Sequence, residues 1–350
     1  MEGHSIVKIE RIFFARLINP VIIWLVATLI VVPDLKSQIT YSKDVIQKVK
    51  IATLSMQRKD WEQGVVAQAF LESGDTSVAV QMAKAAIIYE QPDGRLAVLG
   101  QSGLIDCALL GEAIYVSAQT TNDPELLKAE NNLSEYILKN ASRGNDGTFH
   151  HAGKQMWVDS YNCAIPYLAK KGLCIEAFIQ YMGLYSRLWD SNRKMFLHIW
   201  DDENQKWINK SPWGVGNGWA AMGITRFLKS LPKENLKERS HAIKTLNELI
   251  SSCLLYLTDD GLFHNIIDDS NTFIECNLSS LLAYSIFIGI KSGYLDPSLK
   301  IYADKMRRAV WTRIDNMGFV VGGCAAPTFD RPGISPEGQA FFILMESVAY

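Results

Sequence analysis

The chain has 350 residues, long for one ordinary domain, and its 48% hydrophobic and 21% charged residues exclude a disordered chain, a collagen-like repeat and a disulfide-stapled miniprotein. Lys and Arg total 35 against 37 Asp and Glu, so the net charge of -2 provides no field to hold a polyanion and nucleic-acid binding is not expected. Six scattered cysteines, Cys107, Cys163, Cys174, Cys253, Cys276 and Cys324, form no CxxC or CxxH pair. They read as buried free thiols, with no support for a structural zinc site or a dithiol redox motif.

Residues 1–40 differ from the rest. Lys8, Arg11 and Arg16 precede an apolar run over 17–32 that is broken by Asn19-Pro20. At about 1.5 Å per residue the run falls short of the roughly 30 Å hydrocarbon core. Two readings stand: a signal-anchor that contacts a membrane through 17–32, or a hydrophobic arm. The location is accordingly membrane-anchored or cytoplasmic.

From Tyr41 onward apolar residues recur at spacings of three and four and strand-like alternation is scarce, which predicts an all-α domain over 41–350. Caps and prolines at Ser42, Ser73-Gly74-Asp75, Asn122-Asp123-Pro124, Leu231-Pro232 and Leu295-Asp296-Pro297 separate the helices. One set, over 42–57, 75–90, 124–140, 173–190, 235–257 and 297–314, has a polar face. The other set begins near Trp61, Asp106, Asp159, Gly216, Glu275 and Glu337 and is richer in Ala, Gly, Leu and Phe, which marks the buried helices. Its starts lie about 45–60 residues apart, the length of one helical hairpin, so six hairpins in series are predicted to close as an (α/α)6 toroid.

In such a ring the buried helices all begin at one mouth. Trp61-Glu62, Asp106, Trp157-Val158-Asp159, Trp213 through Trp219, Glu275 and Pro336-Glu337 therefore converge there. Indole faces stack on sugar rings and carboxylates move protons or bind hydroxyls, so the mixture suggests a carbohydrate pocket. A single carboxylate at a helix start is more often a cap, and a lone tryptophan more often core. Convergence carries the functional reading. Gly214, Gly216 and Gly218 follow no strand and precede no Lys-Ser/Thr, so they serve close backbone approach rather than phosphate binding. His150, His151, His198 and His264 lie in connections that flank the same mouth, and hydrogen-bonding roles are expected of them rather than metal ligation.

The ordered series Met56 through Gly64, Gly147-Thr148-Phe149-His150, Trp157-Val158-Asp159-Ser160, Phe196 through Asp201, Trp213 through Trp219, Asp260 through Phe263 and Pro336 through Phe342 resembles the unsaturated glucuronyl and rhamnogalacturonyl hydrolases of glycoside hydrolase families 105 and 88. The resemblance implies an (α/α)6 barrel and the removal of a terminal 4,5-unsaturated uronic acid from lyase-generated oligosaccharides, with no metal or organic cofactor and no protein partner. By position, Asp159 resembles the catalytic general acid/base and Asp106 the second pocket carboxylate. His150 and His198 resemble the substrate-contacting histidines, with His151 one residue away. Trp213 and Trp219 resemble the stacking tryptophans, and Trp61 and Asn217 complete the expected binding set. One departure is Val215, where bacterial members often carry an arginine suited to a carboxylate; Asn217, Arg58 or a helix-start N–H are the substitutes the sequence offers. Two other readings of the same toroid remain: an inverting glycosidase on saturated sugars, and a barrel that binds sugar without catalysis.

Overall fold

A computed structural model describes residues 41–100, 102–326 and 328–349. The signal-anchor or arm expected in 1–40 lies outside the described residues. Among the described residues no helix is long and apolar enough to cross a membrane.

Six helices whose buried residues occupy one face form the outer layer: α1 (Lys43–Ser55), α3 (Thr76–Ile87), α5 (Pro124–Glu135), α8 (Cys174–Leu188), α10 (Leu236–Leu254) and α12 (Lys300–Trp311). In α12 only Ala303, Met306, Ala309, Val310 and Trp311 are buried. Six further segments are buried nearly all round and form the inner layer. These are α2 (Asp60–Glu72), a 3-10 turn Asp106–Leu110 that continues as α4 (Gly111–Thr121), the pair α6 (Ser160–Cys163) and α7 (Ile165–Lys170), α9 (Gly214–Ser230), α11 (Asn277–Lys291) and α13 (Pro336–Val348). Every residue of α11 from Asn277 to Gly289 is buried, as a helix enclosed on all sides must be. Consecutive inner segments pack side by side, and α13 packs on α2, which closes the ring. Six hairpins in a closed (α/α)6 toroid is therefore the observed architecture.

Local chemistry sets the boundaries. The Asp123 carboxylate accepts from the Glu125 and Leu126 amides with Pro124 at the first helical position, and Asn122 ends α4 in the left-handed region at φ 53°. Ser335 caps α13 through the Gly338 amide at 3.2 Å. The inner helices approach closely at glycines. A Cβ on Gly64 would lie 2.6 Å from the Leu109 carbonyl carbon, and one on Gly216 would lie 2.4 Å from Val158 Cγ1, so Gly64 lets α2 close on the neighbouring inner segment and Gly216 lets α9 close on the turn before α6.

Connections from inner to outer helices are short, whereas most of those running back inward are long and carry the short strands. The strands β1 (Gln155–Trp157), β4 (Ile199–Asp201) and β5 (Lys206–Asn209) form an antiparallel sheet in the order β1-β4-β5. Three two-stranded ribbons, β2 (Trp189–Asp190) with β3 (Met195–Phe196), β6 (Phe263–His264) with β7 (Ile274–Glu275) and β8 (Gly323–Cys324) with β9 (Pro332–Gly333), precede inner helices in the same way. Runs of two to four residues are too short to show period-two alternation, so the sequence gives no sign of them. They rim the mouth at which the inner helices start.

Candidate active site

The loop from β1 into α6 builds the centre of the site. β1 pairs with β4 so that Trp157 opposes Ile199, and the Val158 N–H donates to the His198 carbonyl at 3.1 Å. This pairing sets the Trp157-Val158-Asp159 run beside His198. Asp159 precedes α6 but makes no capping hydrogen bond, and its Oδ2 is buried with no hydrogen-bond partner. His198 Nε2 lies 3.9 Å from Asp159 Oδ2 and is likewise buried and unpartnered. Burial lowers the His198 pKa against the opposing pull of Asp159, which disfavours the charged ring.

Asp106 opens the second inner segment, where the Gly103 N–H donates to its Oδ2 at 2.8 Å. Its Oδ1 faces His151 Nε2 at 3.3 Å. The other ring nitrogen of His151 is 3.0 Å from Ser160 Oγ, one residue beyond Asp159. The Trp157 indole stacks on His151 at 4.7 Å and meets His198 edge-on at 5.8 Å, and His198 in turn lies 4.6 Å from the Trp213 ring. Asp106, His151, Ser160, Asp159, Trp157, His198 and Trp213 thus form one connected group of carboxylates, imidazoles and indoles.

Two buried carboxylates without hydrogen-bond partners belong to the same mouth. Asp60, at the start of α2 with φ 33°, has both oxygens unpartnered and its pKa is pushed up to about 6, chiefly by burial. Ser102 offsets part of that rise and Asp106 adds to it. Glu337, in the first turn of α13, is 2% exposed and also unpartnered, and burial with a contribution from Glu62 pushes it up to about 7. Glu275 is raised to about 7 by burial although the Asn277 and Leu278 amides hold it, which is ordinary helix capping.

Several expected site residues stand elsewhere. His150 is turned away: its ring bonds Ser142 Oγ at 2.8 Å and approaches Asp202 at 3.4 Å, while His151 takes the place expected of it. Adjacent residues of an extended segment point to opposite faces, so a shift of one residue exchanges their roles. Asn217 is fully buried, and its amide accepts from the Phe196 N–H and donates to the Phe196 and Trp213 carbonyls, which leaves nothing for a ligand. Arg58 is committed to the Thr53 and Met56 carbonyls and to Gln63, so it secures the end of α1 rather than a uronate. Trp219 is 5% exposed and packs edge-on against Phe341 inside the ring. Trp61 is half-buried on the first turn of α2 with the Lys59 ammonium 5.0 Å from its ring. His264 bonds the Thr272 carbonyl within its own hairpin. The sequence places His151 at the mouth, one residue from the expected contact, but does not mark Ser160 or Asp60 as site groups, although each adjoins an expected residue.

The Glycosyl Hydrolase Family 88 model matches residues 37–342. Over 268 residues, 70% of this chain and 75% of the relative, the sequence is 25% identical to the unsaturated rhamnogalacturonyl hydrolase YesR of Bacillus subtilis (strain 168). The fold is similar to that of a possible member of the GH105 family from Salmonella enterica serovar Paratyphi A, with a TM-score of 0.77 at 20% identity over 90% of this chain and 96% of that one. It is also similar to an unsaturated glucuronyl hydrolase from Bacillus sp. GL1, with a TM-score of 0.65 at 12% identity over 85% and 92%. With the ring closed, the acidic mouth assembled and the family model matched over most of its length, the chain belongs to glycosyl hydrolase family 88.

Proposed function

We propose that this chain removes the terminal 4,5-unsaturated uronic acid from lyase-generated oligosaccharides by hydrating its vinyl ether. The observation that carries the reading is the Asp159 carboxylate, which lies 3.9 Å from His198 with a buried oxygen and neither caps its helix nor bonds another group. An acid that must hand its proton to carbon needs an oxygen free of competing partners.

In the proposed sequence Asp159 gives its proton to C4 as the C4=C5 bond opens, and positive charge develops at C5 and the ring oxygen. Water adds at C5 and returns a proton to the Asp159 carboxylate, so the residue ends as it began. The resulting hemiketal opens at the ring oxygen, and C1, now a hemiacetal, expels the remaining sugar. His198 and His151 orient the water and the sugar hydroxyls, Asp106 holds His151, and the Trp157 and Trp213 indoles wall the sugar ring. Support comes from family membership and from the activities named for the relatives above. Purified protein mixed with unsaturated disaccharides from pectin and glycosaminoglycan lyases is expected to abolish their ultraviolet absorbance and to leave saturated analogues intact. No loss with any of them, or equal cleavage of the saturated sugars, contradicts the proposal.

A further inference from the structure

Cys163 has no part in the proposed reaction, yet it lies one helical turn beyond Asp159 and is 2% exposed among the site's polar groups. One ligand atom from each of Asp106, His151 and Cys163 lies within 4.8 Å of the other two. The Asp106 Oδ1 to His151 Nε2 separation is 3.3 Å. A tetrahedral zinc ion with bonds of about 2.0–2.3 Å has ligand-to-ligand edges of roughly 3.3–3.6 Å, so the oxygen and nitrogen already stand at such an edge. Closing the thiol onto them takes about 1 Å of side-chain movement.

The outer contacts also suit a metal site. The second ring nitrogen of His151 is held by Ser160 Oγ at 3.0 Å, which fixes the imidazole with Nε2 aimed at Asp106. The second oxygen of Asp106 takes the Gly103 N–H at 2.8 Å. Ligands supported in this way need little reorganisation to bind. A thiol, an imidazole and one carboxylate oxygen favour a thiophilic divalent ion over magnesium or calcium, which require oxygen ligands.

We infer that Asp106, His151 and Cys163 form a three-ligand site for a single zinc-class cation inside the catalytic pocket. Water supplies the fourth ligand, and the Cys163 thiol releases its proton to solvent as the sulfur–metal bond forms. Occupancy ties Asp106 and His151 to the metal, and on the function proposed above it halts turnover. The ion is an inhibitor of the pocket rather than a cofactor.

The test is cobalt(II) titration of the chelator-treated, reduced full-length protein, read by absorption, a measurement that needs no substrate. One equivalent is expected to give a sulfur-to-metal charge-transfer band and the intense visible bands of a tetrahedral ion, and zinc is expected to displace both. Magnesium and calcium are expected to leave them unchanged. Cys163→Ser is expected to abolish the charge-transfer band and to weaken zinc binding by more than the roughly 10–100-fold typical of an outer-shell loss, whereas Cys107→Ser keeps both. X-ray absorption on the zinc-loaded wild-type protein provides a reading independent of any variant's folding, with one sulfur expected at about 2.3 Å. Absence of the band at one equivalent, its persistence in Cys163→Ser, or a sulfur count other than one overturns the site. Metal binding without an effect on a working hydrolase overturns the inhibition alone, and metal binding by a protein that hydrolyses nothing overturns the proposed function alone.

Discussion

The two ends of the ring treat buried charge in opposite ways. Away from the mouth, Arg226 near the end of α9 is 4% exposed, and its guanidinium reaches Glu72 at the end of α2, Glu112 in the first turn of α4 and Asn162 in α6. Glu72 also accepts from the Tyr284 hydroxyl and from Gln68. A cavity of about 690 Å³ lies against this network, with Glu72, Glu112 and Arg226 in its wall. Where the inner helices begin, Asp60, Asp159 and Glu337 keep buried oxygens with no hydrogen-bond partner. A buried charge is costly unless paired, so the far end is built for stability, and the open end tolerates its cost because those groups act on something else.

The contrast yields predictions that differ in kind from one end to the other. The largest effect is expected from Asp159→Asn, which should slow turnover of an unsaturated disaccharide by on the order of 10³-fold or more while the thermal midpoint stays close to wild type, because no structural hydrogen bond is lost. A near-normal rate, or a collapsed midpoint, breaks the comparison at its open end. Arg226→Met is expected to do the reverse. Leaving Glu72 and Glu112 buried without their cation should cost about 3–5 kcal/mol in denaturant unfolding, with the folded fraction still active.

The neighbouring histidines sharpen the same distinction over a single residue. His151→Gln removes the imidazole that faces Asp106 at 3.3 Å and should lower kcat/KM roughly 10–100-fold by misplacing the groups around the substrate. His150→Gln should lower stability by about 1–3 kcal/mol and leave the kinetics of the folded enzyme unchanged, since its partners are Ser142 and Asp202. The smallest effect concerns pH. Glu337 binds its proton more tightly in the folded state, with a pKa of about 7 against the ordinary 4.5. Stability is therefore lost as pH rises from about 4.5 through about 7. Glu337→Gln should flatten that decline by about 1 kcal/mol or more, raising the melting temperature at pH 8 and leaving it unchanged at pH 4. A melting profile with the same slope in both proteins contradicts an ionising Glu337.

The ring was legible in the sequence because alternation between helices with a polar face and helices richer in Ala, Gly, Leu and Phe is a direct consequence of two layers, and the starts of the inner set then marked the mouth. That Asp159, Asp106 and His198 stand at one mouth followed from that convergence. His150 and His151 could not be separated, because their facing depends on strand register that two- and three-residue strands do not reveal. Asn217 and Arg58 carry the chemistry of binding groups, yet their backbone partners at Phe196, Thr53 and Met56 exist only after folding. Nor does sequence distinguish the unpartnered Glu337 from the capping Glu275, since both are buried acids at an inner-helix start and only the amides that Glu275 meets in the fold separate them.

Running the reaction in deuterium oxide tests the central claim most directly, because it shows which atom receives the proton. Transfer to carbon predicts one deuterium fixed at C4 of the released sugar, on a single face, with no double bond remaining. A released uronate that keeps its C4=C5 bond and carries no deuterium at C4 would mean that the glycosidic oxygen is protonated instead, and the account of Asp159 would be wrong.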